Sequence, residues 1–276
     1  MKSRSRSLCA CAAAFVLFCL FRLVSAVAAV EFTGLEDYQN WAANTGYPRN
    51  LLIPMGIYGV NQDYFHSIPD SAGYTSGKIV IGDSRCCQLG IWQNRAENDD
   101  YASFAVWGGH YIPGTGTSIM TEELLSDVER CFQAQIRAQG QSTVFLFATV
   151  NDYDYLYNNN AGHISAAVAS AELIASMSYE YQGIVFHPAV IMIGFDGGRS
   201  SGDIFGIPQE TFNRFIGSYN TQLREAVENS PILRETASLF TTVPEITGGN
   251  TTFISDGLHY SDAALQTITD YVKNHP

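Results

Sequence analysis

"KIVIGDSRCCQLG", Lys78 to Gly90, runs from four residues of strand character through a Gly-Asp pair into residues that suit a helix. That order, apolar run then turn then helix, is the first unit of an alternating α/β chain. It recurs downstream. The runs "YASFAVW" (101–107), "STVFLFATV" (142–150), "AVIMIGF" (189–195) and "ASLFTTVP" (237–244) are β-branched or aromatic. Between and after them lie segments with helical spacing: Arg85–Arg95, Thr121–Gln139, His163–Tyr181, Pro208–Asn229 and Ser261–Asn274. The second has Leu124, Val128, Phe132 and Ile136 on one stripe and stops at Gly140, a residue that suits a left-handed helix end. The last opens on Ser261 with Asp262 in its first turn, an N-cap pattern. Five strands, each followed by a helix, predict a parallel sheet covered on both faces: an α/β fold, a three-layer α/β/α sandwich on a five-stranded parallel sheet.

Chemistry in such sheets gathers at the carboxyl ends of the strands. The residues there are Gly82-Asp83-Ser84, Gly108-Gly109-His110, Asn151-Asp152, Asp196-Gly197-Gly198, and the loop that leads to Asp256 and His259. Ser84 sits at a strand-to-helix turn, where a helix N-terminus offers free N–H groups and positive potential. A serine hydroxyl is a weak nucleophile until a base takes its proton. "SDGLHYSDAA" supplies a base in His259, with Asp256 three residues before it to orient the ring. Asn151 can donate its side-chain amide to a developing oxyanion, and Gly108 or Gly109 can offer a backbone N–H. Taken singly, each is also an ordinary turn serine, capping aspartate, turn asparagine or loop glycine.

Together these blocks resemble the SGNH (GDSL-type) hydrolases: Gly-Asp-Ser after the first strand, Gly after the second, Asn-Asp after the third, and Asp-x-x-His before the last helix. The resemblance runs from about Lys78 to Val272 and is closest to exported bacterial members that read Gly-Asp-Ser-Arg and end in Asp-Gly-Leu-His-Tyr. It implies a flavodoxin-like sandwich and serine-esterase chemistry with no metal and no cofactor. It assigns Ser84 as nucleophile, His259 as base, Asp256 as its partner, and Ser84 N–H, Gly108 or Gly109, and Asn151 as the oxyanion hole. Arg85, Trp107, His110 and Asp152 adjoin these groups and are candidates for contacting substrate. Two departures stand out: Arg85 replaces the leucine of the family name, and Thr149 stands where the third block usually has glycine. Arg85 is expected either at an anionic substrate or against a nearby carboxylate. His110 and His187 have no carboxylate at short spacing, which favours structural roles for them.

The rest of the chain sets limits. "MKSRSRS", the apolar run "LCACAAAFVLFCLF" and the small residues near Ala26 to Ala29 predict a cleaved signal peptide over residues 1–29, with an uncleaved anchor as the alternative. The protein is then secreted or held at the cell surface. Residues 30–77, rich in Tyr, Asn, Pro and Gly, are expected to form an extension packed on the body, and the hydrolase domain covers 78–276. The aromatics of that extension suit either packing or a sugar-binding surface. The whole chain carries a net charge of −12. Loss of the four cations of the leader from 15, against 27 acids, takes it to −16. Such a surface repels nucleic acid and anionic membranes. Cys86, Cys87 and Cys131 permit at most one internal disulfide, from Cys131 to one of the adjacent pair. "NDYDYLYNNN" lacks the glycine and closing glutamate of a calcium loop.

The partner expected on these grounds is a small-molecule or polysaccharide ester, above all an O-acetyl ester of a carbohydrate. A lipase or thioesterase of the same fold, and a non-catalytic carbohydrate-binding protein, are the alternatives.

Overall fold

The computed structural model describes residues 64–67, 76–95, 101–106, 109–111, 118–149, 151–152, 160–196, 208–253 and 259–275. The 1–29 leader, most of the 30–77 extension, and the candidates Trp107, Gly108 and Asp256 lie outside these residues.

All five expected strands form. They are β2 (Lys78–Gly82), β3 (Ala102–Val106), β4 (Thr143–Phe147), β7 (Ala189–Gly194) and β8 (Leu239–Thr242), parallel to one another. A sixth strand, β1 (Tyr64–Ser67), comes from the extension and pairs antiparallel with β3. The order is β1-β3-β2-β4-β7-β8. Counting only the parallel strands in chain order gives 2-1-3-4-5, the flavodoxin-like arrangement, in which the winding reverses between β2 and β4.

Strand alternation sorts the side chains onto two faces. Ile79, Ile81, Phe104, Val144, Leu146, Val190 and Met192 enter one core. That face is covered by α2 (Glu122–Gln139), α3 (Asn160–Ala175) and α4 (Gln209–Asn229). Val80, Ala105, Phe145, Phe147, Ile191 and Ile193 enter the other core, under α1 (Ser84–Arg95) and α7 (Asp262–Asn274). The result is the three-layer sandwich.

The helix-end signals hold. Thr121 caps α2 by accepting from the Leu124 N–H, and Gly140 ends it at φ 70° with its N–H on the Ile136 carbonyl. Ser261 caps α7 through the Ala264 N–H. Two short helices, α5 (Pro231–Glu235) and α6 (Val243–Ile246), flank β8, the latter closed by a Thr242/Glu245 capping box.

One expectation is corrected. The helix expected over His163–Tyr181 starts earlier and stops at Ala175. Tyr179–Tyr181 is β5, paired antiparallel with β6 (Ile184–Phe186). Gln182 and Gly183 between them sit at φ 54° and 77°, the two left-handed residues of a tight hairpin turn. The single disulfide that the three cysteines permit does not form. Cys86, Cys87 and Cys131 are free and buried. Cys131 belongs to the core on one face of the sheet and the adjacent pair to the core on the other. The sheet stands between them, so no bridge geometry is open.

Candidate active site at the carboxyl edge of the sheet

The turn after β2 is built from close contacts. A Cβ on Gly82 would lie 2.5 Å from the Cys86 sulfur and 3.0 Å from the Phe147 Cβ, so only glycine lets α1 start so near the strand. Asp83 opens the helix: its Oδ1 accepts the Arg85 N–H at 3.0 Å, and its carbonyl accepts the Cys86 N–H at 2.9 Å. Ser84 is therefore the first residue of α1, and its own N–H has no acceptor within the helix. Burial, reinforced by Asp83, pushes the Cys86 and Cys87 thiols well above their ordinary range. Burial also takes Cys131 up to about 12. Protonated thiols of this kind are neither nucleophiles nor metal ligands.

Ser84 Oγ lies 2.9 Å from His259 Nε2 across 175 residues of chain. Both are nearly buried, at 6% and 9% exposure. The segment carrying His259 is tied on both sides. Phe253 bridges to Tyr260 and stacks on it at 6.0 Å between ring centres, and the Ser261 N–H reaches the Thr252 carbonyl. On the other side Gln88 bonds the Tyr260 backbone twice: Nε2 donates to its carbonyl at 2.9 Å, and Oε1 accepts its N–H at 3.0 Å.

Arg85 takes the second of its two expected roles. Its guanidinium is 2.8 Å from Asp196 Oδ1, with side-chain exposures of 3% and 2%. It also lies over the Tyr260 ring at 5.2 Å. A side chain so enclosed does not reach a substrate. Burial would lower its pKa, but Asp196, Tyr260 and Asp83 together raise it. For Asp196 burial wins over Arg85 and lifts the carboxyl above its ordinary value.

The oxyanion side needs one correction. The Gly109 N–H donates to the Val106 carbonyl at 2.9 Å, so it is not available to an oxyanion. Glycine is required there for packing, since a Cβ would come within 2.6 Å of Ile119 and 2.8 Å of the Val106 oxygen. Asn151 Nδ2 points at the Gly109 carbonyl and Thr149 Oγ1 by long contacts of 3.2 and 3.3 Å. Thr149 joins the site as a residue that spacing did not single out for a role. Its hydroxyl sits 3.1 Å from Asp83 Oδ2 and 2.7 Å from the Gly109 carbonyl, linking the turns after β2, β3 and β4.

Asp152, a substrate-contact candidate, is a buried acceptor instead. Its oxygens take His110 Nδ1 at 2.9 Å, the Tyr111 N–H at 2.8 Å and His163 Nε2 at 3.1 Å. His163 bonds Tyr219 in turn at 2.7 Å. Burial acts to raise the Asp152 carboxyl, but the bonds from His163, Tyr111 and His110 outweigh it and hold the group below its usual range. His110 thus has the carboxylate that short-range spacing did not offer. It keeps partial exposure at the rim.

A cavity of about 260 Å³ opens beyond β7, lined among others by Asp196, Ile216, Gly217, Pro244, Thr251 and Phe253. Its walls touch the neighbours of the Ser84–His259 pair, through the Arg85–Asp196 ion pair and the Phe253–Tyr260 stack.

No family model and no curated protein matches the chain. Among solved structures it is similar to an aryl esterase of M. smegmatis at 11% identity and TM-score 0.43, covering 71% of this chain and 95% of that one. A carbohydrate acetylesterase family member of Sinorhizobium meliloti is similar at 10% identity and TM-score 0.40, over 71% and 94% of the two chains.

Proposed function

We propose that this protein is an exported SGNH-type serine esterase that removes O-acyl groups, acetyl in the leading case, from a carbohydrate. The observation that carries the reading is the 2.9 Å contact between Ser84 Oγ and His259 Nε2 at the N-terminus of α1. A nucleophile within hydrogen-bond reach of a base is the geometry such chemistry requires.

Ser84 Oγ attacks the ester carbonyl carbon while His259 Nε2 takes its proton. The tetrahedral oxyanion is met by the Ser84 N–H and, following the family resemblance, by the Gly108 N–H and by Asn151 Nδ2, which turns to it from its long contacts to Gly109 and Thr149. Each such donor is worth about 10²–10³ in kcat. Collapse breaks the bond to the alcohol oxygen, which leaves with the proton from His259. Water, deprotonated by the same imidazole, then frees the acid and restores Ser84. Asp256 is the partner proposed for the second ring nitrogen.

A carbohydrate ester is favoured by the leader-like N-terminus and by the mixed lining of the cavity. At about 260 Å³, the cavity falls below the roughly 300–1,000 Å³ of pockets that take drug-sized ligands. Its lining mixes Asp196 and Thr251 with Phe253 and Ile216, polar groups and apolar faces of the kind that suit a sugar ring.

The test is labelling by a fluorophosphonate probe together with turnover of short-chain aryl acetates. Wild type is expected to do both, with labelling at Ser84, and Ser84→Ala to do neither. Unchanged activity in Ser84→Ala overturns the serine mechanism. Faster turnover of long than of short acyl chains overturns the substrate class.

A further inference from the structure

We infer that Gln88, with Arg85, is a positioning device: the turn of α1 that carries Ser84 also grips Tyr260 and so holds His259 at bonding distance from the serine. The inference rests on the reading of Ser84 and His259 as nucleophile and base.

Arg85 and Gln88 are three residues apart on α1 and share a face of it. Both meet Tyr260, the residue directly after His259. Gln88 engages the peptide groups of Tyr260 as a neighbouring strand would, giving one hydrogen bond and accepting another, at 2.9 and 3.0 Å. Two bonds to one residue fix the direction of the backbone as well as its distance. Arg85 holds the side chain of the same residue, with its guanidinium 5.2 Å above the ring and Nη1 3.5 Å from the hydroxyl. Nucleophile and base are thereby referred to a single rigid element, although 175 residues separate them in the chain. Gln88 is itself buried, so no water stands ready to replace its bonds. Its loss leaves the Tyr260 N–H and carbonyl to find partners by moving the backbone next to His259. A misplacement of about 1 Å at reacting groups is enough to cost roughly 10²-fold in rate.

A purely structural glutamine makes a different prediction, and the chain contains one for comparison. Gln135 is fully buried, donates to the Lys78 carbonyl at 3.0 Å and accepts from Ser142 at 2.6 Å. Those partners lie at the amino ends of β2 and β4, away from Ser84.

The experiment compares wild type, Gln88→Met, Gln88→Glu and Gln135→Met. It measures kcat and KM on an aryl acetate, the rate of fluorophosphonate labelling, and the melting temperature. Gln88→Met is expected to lower kcat and the labelling rate about 10- to 100-fold with KM nearly unchanged. Gln88→Glu keeps the acceptor for the Tyr260 N–H and falls between; it carries the test if Gln88→Met does not fold. Gln135→Met is expected to lower the melting temperature and leave both rates per folded molecule intact. Gln88 variants that melt lower yet react at the wild-type rate overturn the inference. A wild type that neither labels nor turns over overturns the esterase reading itself.

Discussion

The buried pair Arg85–Asp196 yields a prediction with opposite consequences for its two halves. The groups approach to 2.8 Å with almost no exposure. With charge centres about 4 Å apart and an effective dielectric of about 20, their attraction is about 4 kcal/mol. Removing one partner of such a pair costs about 3–5 kcal/mol, because the other charge is left buried alone. The guanidinium cannot shed its proton, so Asp196→Asn bears that whole cost, roughly 6–20 °C in melting temperature for a domain of this size.

Asp196 has an escape that Arg85 lacks. Its carboxyl is already raised by burial with Arg85 opposing, and without Arg85 it takes up a proton more readily still. Arg85→Met therefore costs less than Asp196→Asn, and its cost depends on pH. A folded-state value above the unfolded 3.8 means stability that is fully present below 3.8 and lost as pH rises through the raised value. Urea unfolding of both variants at intervals from roughly pH 4 to 8 reads this directly. An Asp196→Asn variant within about 1 kcal/mol of wild type refutes the reasoning, as does an Arg85→Met variant whose deficit is the same at every pH.

Three further outcomes are expected. Gly82→Ala forces a Cβ to 2.5 Å from the Cys86 sulfur and costs about 1–3 kcal/mol; Cys86→Ala in the same chain recovers most of it in urea unfolding. Wild type loses stability as pH falls from 3.8 through the lowered value of Asp152, whereas Asp152→Asn, less stable at neutral pH, lacks that part of the acid limb in a circular-dichroism titration. Gly217 lines the cavity, and a Cβ there meets nothing within 4 Å; Gly217→Leu is expected to fold at least as well as wild type, turn over phenyl acetate normally and raise KM for bulky sugar acetates.

The parts of this molecule that could be read in advance are those whose signals are local. The five parallel strands announce themselves as short β-branched or aromatic runs, and the ends of α2 and α7 as Thr or Ser caps and a glycine stop. The short strands escape for the same reason: β5 and β6 have three residues each, and β1 is defined only by its pairing with β3 some 40 residues on. At the site, Ser84, Asn151 and His259 are conspicuous because reactive residue types follow predicted strands or precede the last helix. Gln88 is not, since its partner is 172 residues away and a helical glutamine has no marker of its own. The two glycines after β3 illustrate the limit. Either suits an oxyanion site by type, and only the bond from the Gly109 N–H to Val106 removes one of them. Counting thiols left the disulfide open, because a count carries no information about which side of a sheet each faces.

The strand contributed by the extension also carries the sheet beyond the part of the chain that holds the motifs. β3 has two edges; β2 takes one, and β1 takes the other, from Tyr64↔Val106 to Ser67↔Ser103. The motifs start at Lys78, and a fragment cut there would retain every group discussed at the site. It would also leave the outer edge of β3 with unpaired N–H and carbonyl groups, a template for the next chain to add to. Residues 64–67 thus act as a selvedge: they move the edge of the sheet from β3 to a strand of four residues, and a very short edge strand is a poor template for another chain.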